Sequence, residues 1–298
     1  MSAVSQWDAS ARPNAPRLRR SDRLVIGSFD GAAHVFQRSA RAVILGSAVL
    51  MVPMVALNLL LSVVAFRDFD SFDSLFADKG FVGVESSTVF IAVLVQSFTA
   101  HLLGGYAAVF VVDHQMGGAP GVRRGLMAVL RRLPLLLLTW ILTHWWAVLI
   151  ALLAVNAPVV AAGAFVIIAP VAALLSALVL VTVPVVMTEQ HGAAGIGRAI
   201  RLARARFGAA FGFVVLCSLL GGSLFAFIGQ LPVLLEATGL VTFGSIGYLV
   251  QGVAVQVALL VVLPLIAVAT AQFYLQLRVH VEGLDLVLAA DRAFGAST

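Results

Sequence analysis

The sequence predicts an all-α fold, a polytopic membrane helix bundle of six transmembrane helices, and composition is the first reason. Apolar residues make up 61% of the 298 positions, whereas charged residues make up only 11%. A water-soluble domain carries about a quarter of its residues as charged groups. A chain this poor in charge is therefore expected to have lipid as its solvent. The second reason is that the apolar residues fall into six long stretches.

Each of the six apolar stretches is long enough to cross a bilayer, which requires about 20 helical residues. None of them carries an Asp, Glu, Lys or Arg near its centre. The predicted spans are 42–66, 86–112, 133–156, 158–187, 208–230 and 247–275. They define a membrane domain over 22–288, with a disordered basic tail at 1–21 and a short tail at 289–298.

The basic residues predict how these spans are oriented. Seventeen of the 19 lysine and arginine residues lie in the two tails or in every second connection, whereas only Arg67 and Lys79 lie on the alternate side. Short loops rich in arginine remain cytoplasmic, so both termini are predicted to be cytoplasmic. Aromatic residues do not interleave with the arginines, and the net charge of +5 is therefore assigned to topology. No nucleic-acid partner is expected.

Three segments on the predicted cytoplasmic side have the pattern of amphipathic helices. They are 22–38, which precedes the first span, and the connections 121–133 and 195–207. We call them elbow helices. In the last one, Ile196 and Ile200 recur at helical spacing while arginines occupy the flanks, which is typical of a helix lying in the membrane interface. Basic side chains at that depth attract anionic lipid headgroups. The candidate headgroup ligands are Arg123, Arg124, Arg131, Arg132, Arg198, Arg201, Arg204 and Arg206.

The elbow helices are part of an internal repeat. Each one precedes an outgoing span, a returning span and a polar exit that contains an acid, a histidine and a glycine. The exits read VVDHQMGG at 111–118, MTEQHGAAG at 187–195 and VHVEGL at 279–284. Three copies of one helical hairpin would account for the six spans.

Three segments resemble a known membrane domain. The opening RSDRLVIGSFDGAAHVFQRSARAVILGSAVLMVP resembles the start of the domain attached to some bacterial glycerophosphoryl diester phosphodiesterases, which also occurs alone in actinobacterial membrane proteins. The segment VPVVMTEQHGAAGIGRAIRLARARFGAAFG is similar to its middle motif, an acid followed by an arginine-rich amphipathic helix. The ending resembles its closing motif through Tyr274, Arg278, Glu282 and Gly283, although Gln276 stands where the family usually has an acid.

The resemblance covers about 22–288 and implies a stand-alone membrane module in a bacterial cytoplasmic (inner) membrane. The phosphodiesterase activity of the fused proteins belongs to a separate soluble barrel of about 250 residues. This chain has no soluble segment of comparable length, so that activity is not expected. Because the sequence also lacks HExxH spacing and paired intramembrane aspartates, no enzymatic activity, catalytic residue, metal or cofactor is expected.

Four polar residues within the predicted spans are candidates for an intramembrane function. His101 and His144 lie near the middles of the second and third spans, and Gln96 and Gln256 are also within spans. Ionisable groups inside a membrane mark ion or substrate paths, but they also join helices through hydrogen bonds of about 1 kcal/mol. Both interpretations stay open for these residues.

Prolines and glycines within the spans predict local geometry. Pro53, Pro170 and Pro264 remove a backbone donor in mid-span, so a kink is expected at each. Gly208, Gly212, Gly221 and Gly222 in the fifth span predict close contact with a neighbouring helix.

Two functions follow as hypotheses. The first is a non-enzymatic module that organises anionic lipid, or a complex with a membrane-protein partner, at the cytoplasmic leaflet. The alternative is a transporter or permease component for a hydrophobic or lipid-like substrate, which the mid-span prolines and central histidines favour.

Overall fold

The computed structural model describes residues 21, 23–66, 86–116, 121–156, 158–189 and 192–294. These ranges are helical apart from short turns and contain no strand, which confirms the predicted all-α class. The helices are α1 (Leu24–Phe66), α2 (Ser86–Gln115), α3 (Val122–Arg131), α4 (Leu133–Asn156), α5 (Pro158–Val179), α6 (Thr182–Thr188), α7 (Gly195–Ala205), α8 (Phe207–Gly229), α9 (Leu231–Ala237), α10 (Gly247–Glu282) and α11 (Leu284–Phe294). The predicted tail at 1–21 lies outside the described residues apart from Ser21.

Five helical segments in the described ranges are long and apolar enough to cross a membrane. They are Leu24–Leu61, Phe90–Gln115, Ile167–Thr188, Phe207–Gly229 and Leu249–Glu282. The count rises to six when α3 and the first half of α4, which meet at 68°, are taken as one bent span. The chain is therefore a multi-pass membrane helix bundle, and every predicted span is occupied by helix.

The predicted elbow helices are confirmed as helices. Elbow 22–38 is the first part of α1, which the non-helical backbone of Ser39 (φ −141°, ψ 23°) separates from the span. The other two are α3 and α7. Helix α7 ends at Arg206 (φ −136°, ψ 47°), where the chain turns into α8. Its apolar face is buried through Ala199, Leu202 and Ala203.

Two elements differ from the prediction. The fourth span is broken at Leu180 and Val181 into α5 and α6. The chain after the third exit forms helix α11, which crosses the predicted boundary at 288. The exit is possible because Gly283 adopts a left-handed conformation (φ 64°) that favours glycine and ends α10 directly after Glu282.

Helices α2 and α10 contact each other and organise the bundle. Together with four other helices they form a ring in which each helix contacts the next, in the order α1, α10, α8, α5, α4 and α2. At one end of this ring, the start of α1, helices α3, α6 and α7 and the end of α10 come together, and we call this the elbow end. Its core includes the stacked rings of Phe29, Phe213 and Phe273, with centroids 5.2 and 4.5 Å apart.

The predicted glycine contacts are only partly correct. A Cβ at Gly221 would lie 2.9 Å from Ile266 Cδ1 of α10, so close contact is confirmed there. It is wrong for Gly208, Gly212 and Gly222, which have no neighbour within 4 Å in the described chain. The reason is that they lie on faces of α8 turned away from α10. The prolines Pro53, Pro170 and Pro264 all lie inside α-helices.

Candidate functional site

A cluster of charged side chains joins α6, α7 and α10 at the elbow end. We call it the Glu189 cluster, and its members are Thr188, Glu189, Arg198, Tyr274, Arg278 and Glu282. Glu189 ends α6, and its side chain is only 3% exposed. Arg198 of α7 donates from Nε to Glu189 Oε2 and from Nη2 to Glu282 Oε1, the latter at 2.7 Å. One guanidinium therefore holds two carboxylates from separate parts of the chain.

Helix α10 supplies its part of the cluster from one face. Tyr274, Arg278 and Glu282 are spaced four residues apart, which stacks them along one side of a helix. Arg278 Nε donates to Glu282 Oε2 at 2.9 Å, and the buried Tyr274 hydroxyl donates to Glu189 Oε1 at 2.7 Å. Arg278 Nε also lies 3.8 Å from Glu189 Oε1. The hydroxyls of Thr188 and Tyr274 lie 2.9 Å apart. The residues of α10 are thus joined to those of α6 and α7 by four contacts among the described residues.

The charges of the cluster balance, because two carboxylates face two guanidinium groups. Burial opposes the positive charge of Arg198, but the hydrogen bonds and charges of Glu189 and Glu282 outweigh it and raise the pKa of that guanidinium above its ordinary value. A buried ion pair of this kind is costly to break, since removal of one partner leaves the other charge uncompensated. The cluster therefore fixes α7 against the last turns of α10.

A second ion pair repeats the arrangement at the first exit. Asp113, near the end of α2, is 2% exposed. Its Oδ2 lies 3.3 Å from Nη1 of Arg124 in α3. The first and second exits thus each bring an acid to an arginine of the elbow helix that follows, Asp113 to Arg124 and Glu189 to Arg198. The acids that mark the predicted repeat share a structural role, which is to hold an elbow helix against the bundle.

The eight candidate headgroup ligands all lie at the elbow end, but they divide into two groups. Arg124 and Arg198 form the ion pairs above, and Arg132 Nη1 donates to the carbonyl oxygens of Val186 and Met187 at 2.6 and 2.8 Å. These three contribute to the bundle itself. The other five are exposed and have no carboxylate within salt-bridge distance in the described chain. They are Arg123, Arg131, Arg201, Arg204 and Arg206.

The two central histidines come together between α2 and α4. The rings of His101 and His144 lie 5.4 Å apart at an interplanar angle of 86°. His101 Nε2 is 3.0 Å from Thr139 Oγ1, and His144 Nδ1 is 2.8 Å from Thr143 Oγ1. Because Thr139 donates its own proton to the carbonyl of Leu136, it accepts one from His101. The pair therefore has hydroxyl partners on α4.

The two candidate glutamines take no part in this histidine pair. Gln96 is half-buried on α2. Gln256 is 8% exposed on α10, and its Oε1 has no hydrogen-bond partner among the described residues. Within the same ranges, no three His, Cys, Asp or Glu side chains are grouped to hold a metal ion.

The sequence patterns do not identify the Glu189 cluster as a site. Its members lie in the middle and closing motifs, but a hydrogen bond between Arg198 and Glu282 joins residues 84 positions apart. The available signal was the spacing of Tyr274, Arg278 and Glu282, which places a polar stripe at the end of an otherwise apolar helix.

Comparison of the chain with protein-family models, curated proteins and solved structures finds no match. The resemblance to the phosphodiesterase membrane domain stays a prediction, and the function is inferred from the geometry of the chain itself.

Proposed function

We propose that the chain is a non-enzymatic membrane module that organises anionic lipid at the cytoplasmic leaflet. The observation that carries the proposal is the division of the arginines at the elbow end. The acids Asp113, Glu189 and Glu282 are held by Arg124, Arg198 and Arg278, whereas five arginines of the elbows project outward without a carboxylate partner in the described chain. The outward surface of α3 and α7 is therefore strongly basic.

This basic surface suits a layer of lipid headgroups. Each arginine near an anionic membrane surface contributes about 1 kcal/mol, and both elbow helices present theirs at the same end of the bundle. Helices α3 and α7 each bury an apolar face against the bundle. This packing fixes the position of the arginines and lowers the entropic cost of binding lipid.

The lipid function is tested with a variant in which Arg123, Arg131, Arg201 and Arg204 are changed to glutamine, leaving the internal ion pairs intact. The matched control changes the same four residues to lysine, which keeps the charge. We expect the glutamine variant to retain less phosphatidylglycerol and cardiolipin through purification, measured by lipid mass spectrometry. The lysine control should retain wild-type amounts, and added salt should lower retention in both wild type and control.

Equal lipid retention by all three proteins at every ionic strength would contradict the proposal. Recovery of one stable protein with the wild type, and its loss from the glutamine variant without any change in lipid, would instead assign the basic surface to a membrane-protein partner.

The proposed orientation has its own test. A reporter fused after Thr298 is expected to be active only in the cytoplasm, because 17 of the 19 basic residues belong to one side. A reporter inserted beside Lys79 should be active on the opposite side. Activity of both reporters on the same side would contradict a six-span bundle.

A transporter for a lipid-like substrate is the second candidate function, and the histidine pair favours it. Two histidines whose rings lie 5.4 Å apart in the interior of a bundle would suit a proton or substrate path. Proteoliposomes that contain only this protein should then move a fluorescent phospholipid between leaflets, and His101→Gln should slow that movement. Movement at the rate of protein-free vesicles would eliminate this candidate.

A further inference from the structure

We propose that a cavity between α1, α8 and α10 at the elbow end binds the phosphodiester headgroup of one anionic phospholipid. The inference deepens the proposed function and rests on it, since it names a discrete site within a generally basic surface. The cavity has a volume of about 360 Å³, which lies within the range of roughly 300–1,000 Å³ typical of small-molecule sites. None of its lining residues belongs to the Glu189 cluster.

The polar part of the cavity is wholly basic. Arg23 precedes α1, Arg206 lies between α7 and α8, and His280 is in the last turn of α10, and all three line the same space. No acidic side chain is among the lining residues that the structure describes. Both arginines are exposed, and neither forms an ion pair with a described carboxylate. Planar guanidinium groups that converge in this way suit the non-bridging oxygens of a phosphate group.

The histidine is oriented by a contact outside the cavity. His280 Nδ1 lies 2.9 Å from the carbonyl oxygen of Gln276. A carbonyl only accepts hydrogen bonds, so Nδ1 carries the proton of this contact. In the neutral ring the other nitrogen, Nε2, is then an acceptor, which suits a hydroxyl of the lipid headgroup and not a phosphate oxygen.

The backbone of α1 adds to the positive electrostatic potential of the cavity. Residues 24–26 form the first turn of this helix and line the same space. The amide of Gly27 donates to Arg23 O at 2.7 Å, which marks where the helical bonding begins. First-turn amides have no partner within the helix and attract anions. They supplement the two arginines that carry the argument.

The remaining wall of the cavity is apolar, and this distinguishes a lipid from free phosphate. The side chains of Leu24, Val25, Ile26 and Ala209 complete the lining, and Ile26 is 49% exposed. A free phosphate ion gains nothing from apolar walls. The glycerol and first acyl carbons of a phospholipid would cover them while its phosphate meets the arginines.

The experiment is a titration of the full-length protein in detergent with phosphatidylglycerol, followed by native mass spectrometry. Arg23→Gln combined with Arg206→Gln should weaken binding of the first lipid by about 30-fold. The matched control combines Arg201→Gln with Arg204→Gln, which removes the same charge from the same end outside the cavity. The control should leave the first affinity unchanged and lower only the number of further, weaker lipids.

A second pair of variants keeps all the arginines. Ile26→Glu places a negative charge in the lining of the cavity, whereas Ile26→Gln introduces a side chain of nearly the same shape as glutamate without the charge. We expect the glutamate variant to lose the first lipid and the glutamine variant to retain it. Because Ile26 is about half exposed, both should fold, and their melting temperatures report whether they do.

Each remaining outcome decides the question. Equal loss of the first lipid in the two double arginine variants would overturn the cavity and leave the proposed function standing. A cavity-specific loss with an unchanged lipid shell in the four-glutamine variant would contradict the general lipid function alone. Binding of phosphatidylcholine with the same affinity, or displacement of phosphatidylglycerol by inorganic phosphate at constant ionic strength, would overturn the assignment to an anionic lipid.

Discussion

The elbow end and the middle of the bundle satisfy their polar groups in opposite ways. At the elbow end, Glu189 and Asp113 are almost fully buried and are paired with guanidinium groups. Between α2 and α4, the polar groups include His101, His144 and their threonine partners, and their hydrogen bonds involve no carboxylate of the described chain. The difference follows from the free-energy cost of transferring charge into a medium of low dielectric constant. That cost is greatest at the centre of a bilayer.

Burial alone therefore does not identify function in this molecule. Both regions are buried and polar, but only the elbow end has enough charge for one broken contact to expose an unpaired ion. Substitutions in the two regions should therefore lower the free energy of unfolding by different amounts, which chemical or thermal denaturation in detergent measures.

The largest effect is expected from Glu189→Gln. The substitution keeps the shape of the side chain but leaves Arg198 and Arg278 to share Glu282, so the free energy of unfolding should fall by about 3 kcal/mol. The matched control is Asp30→Asn, because Asp30 is exposed on α1 and forms no ion pair with a described residue. It should change stability by less than about 0.5 kcal/mol.

Adding Arg198→Gln to the Glu189→Gln variant should recover part of the loss, because one carboxylate, Glu282, then faces one guanidinium group, that of Arg278. Equal stability of Glu189→Gln and Asp30→Asn would show that the buried ion pairs of Glu189 stabilise the bundle no more than an exposed carboxylate does.

An intermediate effect is expected from Gly125→Ala, which disturbs the packing of Tyr106. Tyr106 lies on α2 between His101 and Asp113 and so connects the two regions. Its ring is fully buried, and its hydroxyl donates to the carbonyl of Ala42 at 2.8 Å. A Cβ at Gly125 of α3 would lie 2.7 Å from Cδ2 and Cε2 of this ring. Gly125→Ala should therefore lower the free energy of unfolding by about 1–3 kcal/mol.

Gly208→Ala is the control for that substitution, since no other part of the described chain, apart from the adjoining backbone of α8, lies within 4 Å of its added Cβ. Alanine has the higher helix propensity, so this control should match or exceed wild-type stability. Destabilisation of both variants to the same extent would mean that the loss comes from glycine replacement in general and not from the Tyr106 contact.

The smallest effect is expected from His101→Gln. An amide replaces the hydrogen bond to Thr139, and a hydrogen bond between membrane helices contributes about 0.6 kcal/mol on average. A double-mutant cycle with Thr139→Ala should give a coupling energy below about 1 kcal/mol. A larger coupling, or loss of cellular function at unchanged stability, would remove the contrast between the two regions and favour the transporter hypothesis.

The positions of the helices were predictable because apolar run length and helical spacing are local properties. The break between α5 and α6 was missed, although the sequence contains its cause. Pro184 has no amide proton to donate to the carbonyl of Leu180, four residues earlier, where the helix is interrupted. The elbow at α7 was recognised because its apolar residues and arginines alternate with helical period.

The site was less predictable because it depends on which face of each elbow turns inward. Arg131 and Arg132 are neighbours in sequence, but only Arg132 reaches the carbonyls that end α6. Periodicity does not distinguish an arginine that binds the bundle from one that faces outward when both flank the apolar face. The pairing of Arg198 with Glu282 depends on the topology of the whole chain, which local patterns do not contain.

The composition of the Glu189 cluster also has a consequence for biosynthesis. Glu189 and Arg198 are only nine residues apart, and Arg278 and Glu282 are separated by one helical turn. Each of these two pairs is electrically neutral before α10 packs against α6 and α7. A chain that is inserted from its N-terminus can therefore complete the first pair while the last span is still being synthesised, and neither half enters the bilayer with an unbalanced charge. The final step of assembly then brings together two neutral surfaces, without transferring a net charge.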